Sequence, residues 1–209
     1  MSKKEELQKI KADMEADSKL PLISKPTDII PGDGNPDAQV VFIGEAGGYN
    51  ESIQRKPFVG QAGKLLDKGL AAIKVSRDDV YITNMVKTRP PNNRDPLPEE
   101  LAAYEAYLDR ELEIIKPLVI VTLGRFSMGK FLPSAKISAV HGQKTVIKYK
   151  NRDVTVVPMY HPAAALRNGS IMTEFKKDFM KLPETFTQVE NIAKQQRQEN
   201  EKPEQMELI

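Results

Sequence analysis

The pattern of apolar and polar positions divides the chain into alternating strands and helices. Short apolar runs rich in β-branched residues predict buried strands, and two further runs on either side of a turn-like NRD sequence predict a hairpin. The predicted strands are 38–44, 79–86 and 117–124, with hairpin strands at 145–150 and 154–160.

Between these strands, apolar residues recur at helical spacing. The predicted helices are 60–73, 98–115, 125–132 and 172–182, and the charged residues 1–17 predict an exposed N-terminal helix. Apolar strands that alternate with helices are typical of sheets covered on both faces. The pattern therefore predicts an α/β fold, a three-layer α/β/α sandwich with a central, mostly parallel four-stranded sheet plus the hairpin.

Composition divides the chain into three parts. Residues 1–33 form an N-terminal helix and a Pro/Gly-rich extension, residues 34–186 hold the predicted sheet, and residues 187–209 are rich in charge and glutamine. Such a polar segment buries little apolar surface, so we predict a flexible C-terminal tail. No run approaches the ~20 apolar residues of a membrane span, and the N-terminus lacks the apolar stretch of a signal peptide. We expect a cytoplasmic monomer without a membrane partner.

Charge and cysteine content narrow the chemistry. The net charge is +2 and the pI is about 8.6, which permits a nucleic-acid partner through a local basic groove but does not require one. The chain of 209 residues contains no cysteine. Disulfides and thiolate ligation of a metal or an iron–sulfur cluster are therefore excluded for this sequence.

Three segments that follow predicted strands are the candidate functional regions: 44–60, 84–96 and 161–168. In open α/β sheets, ligands bind beyond the carboxyl ends of the strands. We therefore expect the three segments to converge on one rim of the sheet.

The first segment begins GEAGGYNE. Its glycines allow the backbone at Gly44 and Ala46 to approach a ligand closely, and Glu45 and Glu51 are candidates to orient or deprotonate a water. Phe58 adds a large ring next to this turn. A flat polar ligand such as a nucleobase would suit this set, although for this segment taken alone an ordinary strand-to-helix turn with solvated acids is the better explanation.

The second segment is NMVKTRPPNNRDP. The planar amide of Asn84 can accept from N3–H of uracil while it donates to O4, whereas cytosine presents the reverse pattern. Lys87, Arg89 and Arg94 lie among prolines and would form a stiff basic loop that suits DNA phosphates. A capping role for Asn84 and a solvated surface for the basic residues are the alternatives.

The third segment is MYHPAAALRN. His161 precedes a proline at the end of a strand, so its ring is a candidate donor to an oxygen that becomes negative as a bond breaks. Leu166 and Arg167 on the following loop could enter a duplex and hold phosphate. A core histidine at an ordinary helix start is the alternative, and His141 is predicted to be structural or on the surface.

Taken together, these motifs resemble the uracil-DNA glycosylase superfamily, and most closely its family-four enzymes. The matching stretches are GEAGGYNE, PFVGQAGKLL, NMVKTRPPNNRDP, LGR and HPAAALRN. They occur in the family's order with compatible spacing, from about Gly34 to Leu182. Several motifs in register are far more specific than any one of them.

The resemblance implies that uracil is flipped out of DNA and its N-glycosidic bond is hydrolysed, which initiates base-excision repair. It places Phe58 against the uracil ring, Asn84 on its Watson–Crick edge and His161 at O2 of the departing base. Glu45 and Glu51 occupy the acidic positions that position water or stabilise the cationic sugar. The implied roles of the remaining residues are a polar position near the site for Asn93, and a loop that enters the helix for Leu166 and Arg167.

The sequence departs most from the family pattern at the positions that bind the family's cofactor. Family-four enzymes carry four cysteines around an iron–sulfur cluster, and the corresponding positions here hold Asp17, Leu20, Thr88 and Tyr104. We therefore predict that the cluster is absent and that no cofactor takes part. Its loss would affect rigidity and DNA docking before it affects the pocket, and Leu20 and Tyr104 are predicted to replace the clamp by apolar packing.

Three further departures lie in the motifs themselves. Gly47 stands where proline is usual, Arg55 replaces a glycine, and Ala165 stands where the wedge loop often has a bulkier residue. A looser turn and a shorter wedge would weaken base flipping. Two alternatives to a uracil-DNA glycosylase thus stay open: a weak or inactive member that only binds DNA or a nucleobase, and an enzyme for another deaminated base such as hypoxanthine.

The chain ends QMELI, which resembles the pentapeptide that binds the bacterial DNA sliding clamp. A polar tether that ends in apolar anchors suits docking into a groove. Gln205, Leu208 and Ile209 are the predicted partner-binding residues. A chance apolar terminus is an equally good explanation of five residues.

Overall fold

The computed structural model describes residues 1–200, and a single mixed sheet forms its centre. The strands are β1 (Asp33–Gly34), β2 (Val40–Gly44), β3 (Tyr81–Asn84), β4 (Val119–Leu123), β5 (Thr145–Tyr149) and β6 (Arg152–Met159). Their order across the sheet is β1-β3-β2-β4-β6-β5. The four central strands are parallel to one another, and β1 and β5 pair antiparallel at the two edges.

The helices are α1 (Lys3–Ala16), α2 (Tyr49–Gln54), α3 (Gln61–Ala72), α4 (Pro98–Ile115), α5 (Arg125–Phe131), α6 (Ile137–Val140), α7 (Pro162–Arg167), α8 (Gly169–Phe179) and α9 (Leu182–Asn200). Local sequence explains where several of them begin. Ser2 and Glu5 form a capping box at α1, Pro98 occupies the first turn of α4, and the Asn168 side chain caps α8. Within residues 1–200, no helix combines the length and apolarity that crossing a membrane requires.

Alternate residues of the central strands face opposite sides of the sheet, as a period of two requires. On one side, Phe42 and Val121 pack with α3, α7 and α8; on the other, Ile43 and Ile120 pack with α4 and α5. The sheet therefore lies between two helical layers. The predicted α/β sandwich with a mostly parallel sheet and a hairpin is confirmed, and the short edge strand β1 is an addition that the sequence pattern did not reveal.

The N-terminal helix was predicted to be exposed, and this prediction is wrong. Ile10 and Met14 of α1 are each 1% exposed and form an apolar cluster with Leu20, Val86 and Tyr104. The charged residues of α1 dominate its composition, but one turn-spaced pair is enough to bury its inner face against α4.

The predicted flexible tail also needs correction. Helix α9 runs from Leu182 through the expected boundary at residue 187 to Asn200, and Phe186 and Val189 pack against the core. Two apolar side chains three residues apart are sufficient to dock this polar helix. The predicted clamp-binding residues Gln205, Leu208 and Ile209 lie outside the described residues.

Candidate active site

The three candidate segments do converge, and they line one groove of about 350 Å³ beyond the carboxyl ends of the parallel strands. The lining comprises residues 45–48, 51 and 58 of the first segment, 90 and 93–95 of the second, 161, 163, 164 and 167 of the third, and Ala62 of α3. The groove thus carries acidic, basic and aromatic groups together. Its volume lies within the range of small-molecule sites.

Gly44, the last residue of β2, lies beside Phe58 of the groove lining, and its lack of a side chain leaves room for two neighbouring side chains. A Cβ atom there would lie 2.4 Å from Oδ1 of Asn84 and 2.5 Å from Cζ of Phe58. Asn84, at the end of the neighbouring strand β3, and Phe58 therefore both lie directly beside the Gly44 backbone. Only glycine permits this approach.

Asn84 is 2% exposed, and within the described chain its Oδ1 atom has no hydrogen-bond partner. A buried amide oxygen without a donor costs about 1–3 kcal/mol of folding free energy. Such an atom is rare in a folded protein, and next to a groove it marks a position for the donor of a ligand.

Phe58 adopts an unusual backbone conformation with φ of 52° and is 5% exposed. Its ring centroid lies 5.7 Å from that of His161, with the two rings tilted by 32°. The aromatic ring, the amide and the imidazole predicted from sequence therefore lie close together. Their mutual placement depends on the loop that holds Phe58.

Glu51 holds that loop. Its Oε1 accepts hydrogen bonds from the N–H groups of Val59 (2.8 Å) and Gly60 (2.7 Å), and Oε2 accepts from Gly48 N–H (3.2 Å). Glu51 also lines the groove, so its predicted part in orienting or deprotonating water stays a prediction. The three backbone hydrogen bonds assign it a further role, that of a positioning residue for the strained turn at Phe58.

His161 is fixed by the helix that follows it. As the N-cap of α7, its Nδ1 accepts a hydrogen bond of 3.1 Å from Ala163 N–H, with Pro162 at the first helical position. Because Nδ1 is an acceptor, the proton of the neutral ring is on Nε2. Burial, together with the positive charge of Arg167, lowers the pKa of His161 to about 4. The ring is therefore a neutral Nε2–H donor at physiological pH.

Glu45 lines the same groove, and its pKa is shifted upward, whereas that of His161 is shifted downward. Burial and the negative charge of Asp95 raise its pKa to about 7, and the positive charge of Arg125 acts in the other direction. Asp95 and Arg125 form an ion pair at the groove, although both side chains are largely exposed. A carboxyl group that titrates near neutral pH in a groove is typical of functional sites.

Lys87 was predicted to bind DNA phosphate, and the structure contradicts this. Its side chain is 0% exposed, and Nζ pairs with Glu111 and with the Thr83 hydroxyl on the α4 side of the sheet. Burial lowers the pKa of Lys87, and the partner carboxylate opposes that shift. The pair is internal to the fold, so Lys87 is removed from the candidate DNA-contacting residues.

The other basic residues of the second segment lie at the surface. The Arg94 guanidinium forms a bidentate pair with Glu100, with N–O distances of 2.6 and 2.8 Å. Arg89 donates to Asn93 Oδ1 at 2.8 Å and stacks on the ring of Tyr49, 5.1 Å from its centroid. Asn93 thus lines the groove but is tied to Arg89.

The third segment divides into buried and exposed parts. Ala165 is 2% exposed and packs in the core, whereas Leu166 is 47% exposed and Arg167 lines the groove. The small residue at position 165 is thus a packing feature, and the expected shortening of a wedge does not follow from it. Leu166 remains the exposed apolar residue available to a partner.

Asp95 lines the groove, Arg125 pairs with Asp95, and Tyr49 stacks with Arg89; sequence reasoning assigned a role to none of these three residues. Asp95 and Arg125 stood within the quoted NNRDP and LGR motifs but carried no assigned role. Their importance arises because the loop after β3 meets the start of α5, which lies 30 residues away in the chain. Only the sheet order brings the two together.

Comparison with known proteins identifies the family of this chain. The sequence profile of the Uracil DNA glycosylase superfamily matches residues 31–182. The chain belongs to the uracil DNA glycosylase superfamily. The predicted resemblance is therefore confirmed at the level of the family.

Relatives within the superfamily are similar over most of their length. A Type-4 uracil-DNA glycosylase of Sulfurisphaera tokodaii is 46% identical over 85% of this chain and 84% of its own. A Type-4 uracil-DNA glycosylase of Archaeoglobus fulgidus is 47% identical over 76% and 82%, and one of Thermotoga maritima 43% identical over 72% and 78%.

The family's iron–sulfur cluster does not fit the residues of this chain. Of the four corresponding positions, Leu20 is buried among apolar side chains, and Tyr104 donates its hydroxyl to Pro21 O at 2.8 Å. Thr88 contacts Leu22 O, and Asp17 accepts from Tyr107. None of these offers a thiolate, and three of the four are engaged in hydrogen bonds. The prediction that the protein works without a cofactor can be tested by metal analysis.

Proposed function

We propose that the protein is a uracil-DNA glycosylase that hydrolyses the N-glycosidic bond of uracil flipped out of DNA and so initiates base-excision repair. The observation that carries this proposal is the buried Oδ1 of Asn84, which has no partner within the described chain and lies beside Phe58 and Gly44. An acceptor in that position is satisfied by the N3–H of uracil. Cytosine has an acceptor at N3 and leaves the amide oxygen unpaired.

The reaction separates charge between the sugar and the base. The bond from C1′ to N1 breaks, the electron pair leaves with uracil, and water supplies a hydroxyl to C1′ and a proton to the products. The Nε2–H of His161 donates to O2 of the departing base, where negative charge develops. Neutral imidazole is the form that the lowered pKa maintains.

The ionised carboxylate of Glu45 is the group that we assign to the sugar side. From the groove it positions the attacking water and stabilises the positive charge that develops at C1′. Phe58 stacks on the base. Glu51 keeps Phe58 in place through the three backbone hydrogen bonds of its carboxylate. Arg89, Arg94 and Arg167 are the proposed contacts to phosphate, and Leu166 is proposed to enter the space that the base leaves.

The direct test is incubation with labelled oligonucleotides that contain uracil or hypoxanthine, single- and double-stranded, followed by alkali. Cleavage at uracil is expected, because alkali breaks the strand at an abasic site. Tight binding without cleavage would favour a DNA-binding member without turnover. Release of hypoxanthine in preference to uracil would favour a glycosylase for another deaminated base.

The pH dependence of kcat/KM tests the role of Glu45. Its pKa of about 7 predicts that activity rises with pH through neutrality, because the carboxylate is the active form and His161 is already neutral there. Asp95→Asn removes a negative neighbour of Glu45, which lowers the pKa of Glu45, so the rise of kcat/KM with pH is expected to move to lower pH. Arg125→Ala removes a positive neighbour and is expected to move it to higher pH. Shifts of the same sign in both variants would contradict the assignment.

We also propose, from the sequence alone, that QMELI docks on the DNA sliding clamp and brings the enzyme to replicating DNA in the cytoplasm. A synthetic peptide of residues 200–209 is expected to bind a bacterial clamp, and the same peptide with Leu208→Ala is expected not to bind, because the apolar anchor is lost. Absence of binding by the unaltered peptide at high micromolar concentration would end this proposal.

A further inference from the structure

Four positions at which the chain departs from the motif pattern of its family contact the same stretch, residues 20–30. Thr88 and Tyr104 stand where the resemblance places cluster cysteines, Gly47 stands where proline is usual, and Arg55 stands where glycine is usual. These positions belong to separate parts of the chain. In the folded chain all four nevertheless contact one segment.

Two of the contacts are hydrogen bonds from side chains to the backbone of that segment. Tyr104 is fully buried, and its hydroxyl donates to Pro21 O at 2.8 Å; the Thr88 hydroxyl lies 3.4 Å from Leu22 O. The Tyr104 ring also packs in the apolar cluster that includes Leu20 and α1. The former ligand positions therefore tie the segment to α4 and to the loop that follows β3.

Arg55 makes the third contact, and it does so from an unfavourable backbone conformation. Its φ of 54° is in the left-handed region that favours glycine, so an arginine there is strained. The guanidinium nevertheless reaches Ile29 O at 3.1 Å and Pro26 O at 3.5 Å, and it pairs with Glu15 of α1. The strained residue is therefore the one that links α2, the segment and the N-terminal helix.

The fourth contact joins the segment to the groove. Gly47 N–H donates to Thr88 O at 3.1 Å, a bond that proline cannot make, and a Cβ at Gly47 would lie 2.2 Å from Cδ1 of Ile30. Ile30 N–H in turn donates to Lys87 O at 2.7 Å. The segment consequently supports the loops that carry Glu45 and the end of β3.

We propose that Arg55, Thr88 and Tyr104, with Gly47, form a side-chain staple that holds residues 20–30 against the groove loops in place of the family's iron–sulfur cluster. The staple consists of hydrogen bonds, one ion pair and apolar packing. The fold and the groove of this protein are therefore independent of iron supply and of oxidation, to which a cluster is sensitive. This inference concerns the architecture and holds whether or not the groove acts on uracil.

The glycine variant of Arg55 separates the staple from simple strain. If Arg55 were only a strained replacement, Arg55→Gly would restore the favoured residue and raise Tm. The staple predicts the reverse, a fall in Tm of about 2–4 °C or more, with faster amide exchange in residues 20–30 and faster tryptic cleavage after Lys19, at the start of this segment. Arg55→Lys retains a cation that can pair with Glu15 but lacks the planar guanidinium that also reaches the Ile29 and Pro26 carbonyls. Its Tm is therefore expected to lie between those of the wild type and Arg55→Gly.

Lys74→Gly is the matched control. Lys74 has φ of 58°, is exposed, and makes no side-chain hydrogen bond or ion pair with residues 1–200. Glycine at this helix end is expected to leave Tm unchanged or to raise it, without altering exchange in residues 20–30. The proposal is overturned if Arg55→Gly behaves as Lys74→Gly does. Stoichiometric iron and sulfide in the purified wild-type protein would overturn it as well.

Discussion

Replacement of His161 by alanine is expected to lower kcat for uracil release about 10²–10³-fold, the usual effect of removing one donor to a developing negative charge. The physical reason is that Nε2–H is available to the departing base only because Ala163 N–H occupies Nδ1. Single-turnover cleavage of a uracil oligonucleotide measures the effect. Because His161 also caps α7, alanine is expected to lower Tm as well.

His161→Asn separates the two roles. Asparagine is a good N-cap and can accept from Ala163 N–H, but its shorter side chain places no donor where Nε2–H lies. This variant should therefore keep the Tm of the wild type and share the kinetic defect of the alanine variant. A kcat close to that of the wild type in His161→Asn would contradict the role of the imidazole.

Replacement of Asn84 by alanine is expected to reduce kcat/KM on uracil about 10²-fold without a matching loss of stability. Two hydrogen bonds to the base, each worth about 1–3 kcal/mol, are removed. Folding, however, loses an acceptor that has no partner within the described chain, and this offsets the loss of packing. Kinetics on uracil and cytosine oligonucleotides, together with thermal unfolding, measure the two effects.

Thr122→Val is the matched control for Asn84. The hydroxyl oxygen of Thr122 is the other buried side-chain atom without a partner in residues 1–200, and it lies within β4 rather than in the groove. Removing it with an isosteric side chain should raise Tm and leave glycosylase activity unchanged. If Asn84→Ala retained full activity and preference for uracil, the assigned base-reading role would be wrong.

The groove shows how much of the candidate site could be predicted from local sequence. The positions of Phe58, Asn84 and His161 followed from where predicted strands end, and the structure brings all three together. The same reasoning assigned Lys87 to DNA, which the structure contradicts, and it did not reveal that Glu51 accepts hydrogen bonds from the backbone of the Phe58 loop. A charged side chain near a strand end looks the same in sequence whether it faces a ligand or a buried partner.

The partners of such charges lie far away in the chain. Lys87 pairs with Glu111, which is 24 residues further on, and Arg55 with Glu15, which is 40 residues earlier. Such pairs leave no periodic pattern in the sequence, because hydrophobic periodicity describes one helix or strand at a time. The exposed or buried state of Arg89, Lys87 and Arg94 could therefore not be distinguished within their shared basic loop.

The sequence by itself determined the α/β architecture, the order of most elements and the three segments at the rim, because the alternation of apolar residues and the turn residues act over a few neighbouring positions. Tertiary structure alone decided which charges are internal, that α1 and α9 dock on the body, and that residues 20–30 are held by Arg55 and Tyr104. These features depend on which surfaces meet when the sheet is assembled. Contacts between distant parts of the chain leave no local pattern, and only the folded chain reveals them.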